Sequence, residues 1–429
     1  MRRRRFVQLA GAAGLAASGL GAQSSSGRPV RIGVVGVGSR GASHLRTLLD
    51  IPGVEVPAVC DINEERLRTA LDIVAKAGHK RPEGYSKGVD DWKRLAARDD
   101  LDAVINATPW ELHTPISVAA MQAGKYAATE VPAAITLEQA WDLVRTSERT
   151  GKPCMMLENV NYFRNVMLVL NMIRQGVFGE VLHCAGGYQH DVRYVNILPS
   201  GELSWRGVYA ARRNANLYPT HPIGPIAWWM DINRGDRFEY LVSMSTPSRG
   251  LNHYAAKKFG PQHPSATRKY ALGDVNTCLI KTARGCTVTL YYDPQLSRPY
   301  DLGFRVQGVK GIYSGTLDKF FIEAAEGAKR EEWEDPAPYY EKYEHPLWKT
   351  VPNLPQRYAH GAADYFVLAE FVKAVRNGTQ TPIDVYDSAT WSAILPLTEK
   401  SNAAASARVD FPDFTGGKWK TARPVTFDA

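Results

Sequence analysis

The chain lacks the cysteine spacing of a metal site. Its five cysteines, Cys60, Cys154, Cys184, Cys278 and Cys286, stand apart from one another and from any histidine cluster, so no zinc or other metal ligand set is readable. Cys278 and Cys286 flank "LIKTARG" as the two arms of a hairpin would, which leaves a disulfide conceivable. Buried free thiols are the commoner outcome at such apolar positions. The chain also lacks an apolar run of the roughly 20 residues that a spanning helix needs, so no membrane span is expected. Outside the N-terminus it lacks any block of lysine and arginine. The formal net charge is +8, and half of it sits in Arg2 to Arg5, in a stretch that holds no acid. Nothing remains that would track a phosphate backbone, and nucleic acid is not an expected partner. Internal repeats and low-complexity linkers are missing as well. What is present, 44% hydrophobic and 22% charged residues over 429 positions, suits two globular domains of ordinary size.

The N-terminus reads as an export address. In "MRRRRFVQLAGAAGLAASGLGAQSSSG" basic residues come first, then a short Ala/Gly/Leu run, then small polar residues. Arg3-Arg4-Arg5-Phe6-Val7 resembles the twin-arginine pattern, with cleavage expected near Ala22 and a periplasmic destination. Residues 1–27 are therefore set aside as signal and linker.

From Val30 the pattern alternates strand and helix. "VRIGVVGVG", "VEVPAVCD", "LDAVINATP", "YAATEVP" and "KPCMMLE" are apolar, β-branched or short strand runs. Between them lie helical spacings such as "NEERLRTALDIVAKAG" and "TLEQAWDLVRTSERTG". This predicts a parallel, doubly wound Rossmann domain over residues 28–157. After Glu158 the period changes. Runs such as "NTCLIKTARGCTVTLYYD" and "DLGFRVQGVKGIYSG" alternate with short glycine turns. Residues 158–429 are thus expected to form an α+β domain with a largely antiparallel open sheet, with C-terminal helices packing back on the body.

Gly36-Val37-Gly38-Ser39-Arg40-Gly41 is G-x-G-x-x-G, placed directly after a strand and at the opening of a helix. Gly36 permits the tight turn, Gly38 admits a pyrophosphate, and Gly41 lets helix and strand pack closely. Asp61 ends the second strand about 20 residues further on, where a carboxylate receives ribose hydroxyls and repels a 2′-phosphate. The expected cofactor is NAD. After the next strand comes "ATPWELH", whose Trp110 and His113 are candidates for the nicotinamide pocket, although a lone histidine there is as often a helix-start or packing residue. An NAD protein outside the cytoplasm has no free pool to draw on, so it should bind its cofactor tightly and restore it within each turnover.

The N-terminal half resembles the Gfo/Idh/MocA dehydrogenases. That family usually has Glu-Lys-Pro where this chain has Glu130-Val131-Pro132, and the missing lysine weakens a plain dehydrogenase reading. The chain from Val30 onward more closely resembles glycoside hydrolase family 109, NAD-dependent α-N-acetylgalactosaminidases, in "GVGSRG", "PWELH", "TEVPAAITLEQAWD", "LENVNY", "GEVLHCAGGYQHD", "NLYPTH", "DINRGDRF", "RPYDLGFRVQG" and "DFTGGKWK". The resemblance implies NAD contacts from Ser39, Arg40, Asp61, Trp110, Glu111, Leu112, His113, Glu130, Val131 and Asn159. It implies contacts to a glycan or small glycoside from Glu158, Tyr188, Arg206, Tyr218, Pro219, Thr220, His221 and Tyr300. It also implies a cycle: oxidation of C3 of the sugar, loss of the C2 proton, elimination at C1, water addition and reduction.

In that cycle His221 is the candidate for the C3 hydroxyl proton, because imidazole titrates near neutrality. Tyr218 and Tyr188 are candidates for the C2 and leaving-group transfers, with Arg206 expected to lower a phenol pKa. His190 and Asp191 also form a pair, for which turn capping by the aspartate is the simpler account. Trp228 and Trp229 are expected to pack a helix. Pro222 stands where the family commonly has glycine, and it restricts His221 toward extended conformations. The likeness further implies a homodimer or larger assembly through the open sheet. Two other readings compete with the glycosidase: a sugar dehydrogenase and a catalytically silent binding protein.

Overall fold

The computed structural model describes residues 27–323, 331–350 and 361–427, and the stretch expected to be an export signal lies outside them. Strand β1 (Val30–Val35) is nearly all valine, isoleucine and glycine and is buried on both faces. Such runs suit the centre of a parallel sheet, which helices cover from both sides. With β2 (Val54–Cys60), β3 (Glu83–Tyr85), β4 (Ala103–Asn106), β5 (Tyr126–Thr129) and β6 (Cys154–Met156) it forms a six-stranded sheet in the order β3-β2-β1-β4-β5-β6. Every pairing in it is parallel. The strand order reverses beside β1, so the ligand crevice opens at the carboxyl ends of β1, β2 and β4. Local chemistry sets the helices between them. Asn63 caps Glu64–Lys76 by accepting the Arg66 N–H, and Thr136 caps Leu137–Thr150 by accepting that of Gln139. Gly151, at φ 67°, ends the second of these in the left-handed region.

The second sheet has eight strands: β7 (Val181–Gln189), β8 (Phe238–Ser245), β9 (Asn276–Thr282), β10 (Thr287–Asp293), β11 (Arg305–Gly308), β12 (Gly311–Ser314), β13 (Lys319–Ile322) and β14 (Val409–Asp410). Their order is β13-β12-β11-β7-β10-β9-β8-β14. All neighbours are antiparallel except β7 and β10, which run parallel along their shared length. Parallel pairing needs a long connection, and the chain between these two strands carries the helices that build one wall of the site. Helix Thr220–Trp229 is buried along its whole length except at His221. It rests on β7 at Gly186, where an added Cβ would stand 3.1 Å from Pro222 Cβ. The expected push of Pro222 toward an extended His221 is overridden, since His221 lies in the first helical turn, where a missing proline N–H has no partner to lose. Trp228 and Trp229 are core residues.

Two C-terminal helices join the sheets. Ala362–Asn377 packs on helix Ser39–Leu49 and on β1, while Val385–Ala403 touches helix Leu137–Thr150, β6 and β8. The apolar core therefore runs continuously through the molecule. Inside it, both guanidinium Nη atoms of Arg234 meet the two oxygens of Asp387 at 2.6 Å. The five cysteines are all free and buried, so the conceivable Cys278–Cys286 bridge is not formed. Burial pushes the thiols of Cys60 and Cys154 up to about 12, and those of Cys184, Cys278 and Cys286 also upward.

Asp387→Ala leaves the buried Arg234 cation with only its longer, 3.5 Å ion-pair contact to Asp384. A loss of about 3–5 kcal/mol of stability is expected, measured by urea denaturation. The double variant Asp387→Leu with Arg234→Met should recover most of it.

Candidate active site

The glycine turn after β1 meets three different demands. Gly36 sits at φ +80°, and a Cβ there would lie 2.8 Å from the backbone of Ala107. At Gly41 a Cβ would fall 1.8 Å from the Gly36 carbonyl oxygen, so this residue serves packing and lies behind the cavity wall. Gly38 differs. Its backbone is ordinary (φ −65°), and an added Cβ would meet nothing of the chain closer than Arg66 Nη1 at 3.5 Å. The space over Gly38 lies at the N-terminus of helix Ser39–Leu49, which matches a pyrophosphate. Asp61 Oδ2 accepts the Val37 N–H and Oδ1 that of Asn63, both at 2.8 Å. The carboxylate is thereby fixed at the end of β2, beside the place of a ribose.

A charged junction forms the floor. Arg40 Nε donates to Glu130 Oε1 at 2.7 Å, and its Nη atoms reach Asp364 at 2.8 and 2.9 Å. Asn159 Nδ2 donates to the same Asp364 at 2.8 Å, and His44 Nε2 lies 2.6 Å from Glu130 Oε1. Burial opposes a charge on Glu130, but Arg40 and His44 outweigh it and hold the carboxyl well below its ordinary range. Burial and Arg40 together keep His44 below the usual imidazole value. Asp364 and His44 carry no local sequence signal. Asp364 comes from the C-terminal helix, about 200 positions from Asn159.

These groups line a cavity of about 760 Å³, within the range of cofactor and substrate sites. Gly36, Gly38, Ser39, Arg40 and Asp61 form one end; Trp110, Leu112, His113, Glu130, Val131 and Asn159 form the middle. His113 lines the cavity mainly as a brace, its ring nitrogens 2.7 and 2.8 Å from the carbonyl oxygens of Pro132 and Thr108. Glu111 is not on the wall; it accepts a hydrogen bond from the Tyr209 hydroxyl.

Tyr188, Arg206, Tyr218 and His221 form the far end, joined by His190 and Trp205. The Tyr188 and Tyr218 ring centroids are 4.8 Å apart, and Tyr218 stands edge-on to His221 at the same distance. Glu158 is fully buried behind His221 and not on the cavity wall, with Oε1 2.6 Å from His221 Nδ1. It also caps the short helix Asn159–Tyr162 by accepting the Val160 N–H. Pro219 and Thr220 are buried at the helix start, behind His221. Tyr300 stands half-exposed at the rim, its ring against Tyr188 and His190.

The guanidinium of Arg206 lies over Tyr218, 4.9 Å from the ring centre, and over Trp110 and Trp205. It does not lower the phenol as expected. Burial dominates the pull of Arg206 and pushes Tyr218 up to about 12, and burial raises Tyr188 further. Asp191 caps its turn, as expected, and also pairs with Arg193, but His190 reaches elsewhere: its Nδ1 is 3.0 Å from the Tyr188 hydroxyl. Strand alternation, which puts positions 188 and 190 on one face, is the signal that finds this contact.

The glycine turn, the carboxylate of Asp61 and the polar, aromatic far end define an NAD-binding Rossmann enzyme whose cavity runs from the cofactor turn to the aromatic cluster. Residues 30–158 match the model of the oxidoreductase family with NAD-binding Rossmann fold, and residues 162–421 match that of the glycosyl hydrolase 109 C-terminal domain. The chain belongs to glycosyl hydrolase family 109. A family 109 protein of Stenotrophomonas maltophilia (strain K279a) is 43% identical, over 99% of this chain and 98% of its own. Another, of Shewanella pealeana (strain ATCC 700345 / ANG-SQ1), is 42% identical, over 92% of this chain and 88% of its own. Among solved structures, a levoglucosan dehydrogenase in complex with NADH shares the fold, with a TM-score of 0.70, 21% identity, and coverage of 90% of this chain and all of that one.

Gly41→Ala should cost about 1–3 kcal/mol in thermal or urea unfolding, because backbone must move. Gly38→Ala should leave unfolding unchanged and weaken NAD binding, read by calorimetry. Tyr218 should remain a phenol through pH 10. Its raised folded value makes its contribution to stability complete below pH 10 and lost as the pH rises through about 12. The difference in absorbance titration near 295 nm between wild type and Tyr218→Phe measures that midpoint.

Proposed function

We propose that this enzyme cleaves terminal α-linked N-acetylgalactosamine, or a closely related sugar, by transient oxidation of the sugar ring. The observation that supports this reading best is the cluster of His221, Tyr188, Tyr218 and Arg206 at the end of the cofactor cavity, with Val131 and no lysine beside it. Bound NAD supplies a reversible oxidation at C3 of the sugar and ends each turnover as it began. The chain's own groups move the protons. Glu158 takes up His221 Nδ1–H and so leaves Nε2 to receive the proton of the C3 hydroxyl. A carbonyl at C3 acidifies the hydrogen on C2. The two phenols then divide the remaining work: one takes that proton and the other donates to the departing C1 oxygen. Arg206, held over Tyr218, supports negative charge developing there.

Such a cycle agrees with export through the twin-arginine route to the periplasm with NAD tightly held, which the Arg3-Arg4 pattern and the apolar run behind it support. We further propose a homodimer through the outer face of the second sheet, where Met244, Leu279 and Tyr291 are exposed on neighbouring strands.

With p-nitrophenyl α-N-acetylgalactosaminide and protein purified without added cofactor, nitrophenol should appear over many turnovers with no net absorbance at the NADH band. Accumulating NADH with free sugars, and no cleavage, would instead establish a dehydrogenase. His221→Ala should lower turnover by at least about 100-fold while bound NAD is retained.

A further inference from the structure

His190 stands outside every role given so far, yet it lines the cavity and makes the hydroxyl contact of Tyr188. Four groups face it. Tyr188 bonds to Nδ1 at 3.0 Å, the Tyr300 ring packs edge-on at 4.8 Å, and Asp191 and His221 act on it through their charge. Asp191 does not compete for the ring, because both its oxygens are engaged by Arg193 at 2.8 and 2.6 Å. The backbone N–H of His190 donates to the Asp293 carbonyl at 3.1 Å, which fixes the residue at the end of β7.

The direction of the Tyr188–His190 hydrogen bond follows from charge. Burial, more than any neighbour, holds the His190 imidazole below its ordinary value, so at neutral pH the ring is uncharged. A neutral ring bonded through Nδ1 to a phenol that burial keeps protonated must accept there, with its own proton on Nε2. The Tyr188 O–H therefore points at His190, and the lone pairs of its oxygen are left for the cavity. A phenol in that state is set to receive a proton from substrate, provided its own proton has somewhere to go.

We propose that His190 is the terminal proton acceptor of a Tyr188–His190 relay, which makes Tyr188 the group that removes the C2 proton. This rests on the oxidative cleavage reading. The C2–H electron pair becomes the C1–C2 π bond as the C1–O bond breaks and its pair leaves with the departing oxygen. The C2 proton passes to the Tyr188 oxygen while the Tyr188 proton passes to His190 Nδ1, so the phenol is unchanged and the imidazole becomes a cation. Water addition runs the relay backward. Tyr188 never becomes a free phenolate, which removes the obstacle that burial sets against one there. Tyr218, beneath Arg206, is left as the donor to the departing oxygen, and it takes a proton back from the water that adds at C1. His190 acts through Tyr188 and is a positioning and proton-storing residue.

The test uses full-length protein with NAD and p-nitrophenyl α-N-acetylgalactosaminide in deuterium oxide, with His190→Asn as the variant. Asparagine offers an oxygen near the place of Nδ1 and keeps the hydrogen bond, but it takes no proton at neutral pH. Wild type should release nitrophenol and, because the protons held on Tyr188 and His190 exchange with solvent before water adds, carry solvent deuterium at C2 of the product. In His190→Asn both should fall by about 100-fold or more, while the single-turnover rise at the NADH band persists. Turnover and deuterium within about threefold of wild type would reduce His190 to a hydrogen-bond partner and overturn the relay. Absence of both signals in wild type would overturn the cleavage reading, and the relay with it. A readout without substrate is independent of both. In protein labelled with ¹⁵N-histidine, the His190 Nδ1 resonance should have no attached proton and should shift in Tyr188→Phe. An Nδ1 that carries a proton would reverse the hydrogen bond and exclude the relay.

Discussion

Everything at the cavity depends on how Arg40 is held between two carboxylates. Its guanidinium joins Glu130 at the end of β5 to Asp364 on the C-terminal helix, and Asn159 joins the same aspartate. The cofactor turn, the strand ends of the first sheet and the closing helix are thus tied at one buried point. A buried cation with two carboxylates is stable only when every partner is in place, so the junction enforces a fixed relation between the elements that carry it. The sugar end inherits that relation through Glu158, which directly precedes Asn159 and holds His221 from behind.

Burial sets the proton chemistry more than charge does. Arg206 lies against Tyr218, and still the phenol rises, because desolvation of a phenolate outweighs one cation at that distance. The raised phenols of Tyr188 and Tyr218 and the lowered imidazole of His190 make the far end a site whose proton-carrying groups there are uncharged at rest. Such a site moves protons along hydrogen bonds and leaves ionisation to the moment of reaction. The two histidines are prepared differently: His221 has its Nδ1 taken by a carboxylate, whereas His190 has its Nδ1 facing a phenol.

Much of this was legible in the sequence where local rules operate. The G-x-G-x-x-G turn, the strand-end Asp61 and the capped helices follow from residue type and spacing, and the structure has them at those places. The Tyr218–His221 pair was visible as two proton-bearing side chains three positions apart where an apolar helical run begins, and in the structure Tyr218 precedes the Pro219 cap while His221 lies in the first turn. Long-range partners had no such signal. Asp364 looks like any aspartate on an amphipathic helix until the chain folds over Arg40. Glu158 read as a sugar ligand because nothing local says that the chain buries it behind a histidine. The short strand β3, in a polar stretch, and the parallel β7–β10 pair were hidden for a related reason: edge strands and crossover pairings are decided by neighbours far along the chain. The effect of Pro222 was misjudged because the local bias before a proline is small beside the packing of a fully buried helix.

The five buried thiols, each raised by burial, are poor nucleophiles in the folded protein. With a value near 12, a thiol such as that of Cys60 or Cys154 is deprotonated in only ~10⁻⁵ of molecules at pH 7, and exchange proceeds through the thiolate. Neither glutathione nor a disulfide-donating oxidase has a nucleophile to meet. The fold gains nothing from an oxidising surrounding and loses nothing in a reducing one, so one set of internal contacts serves on either side of a membrane.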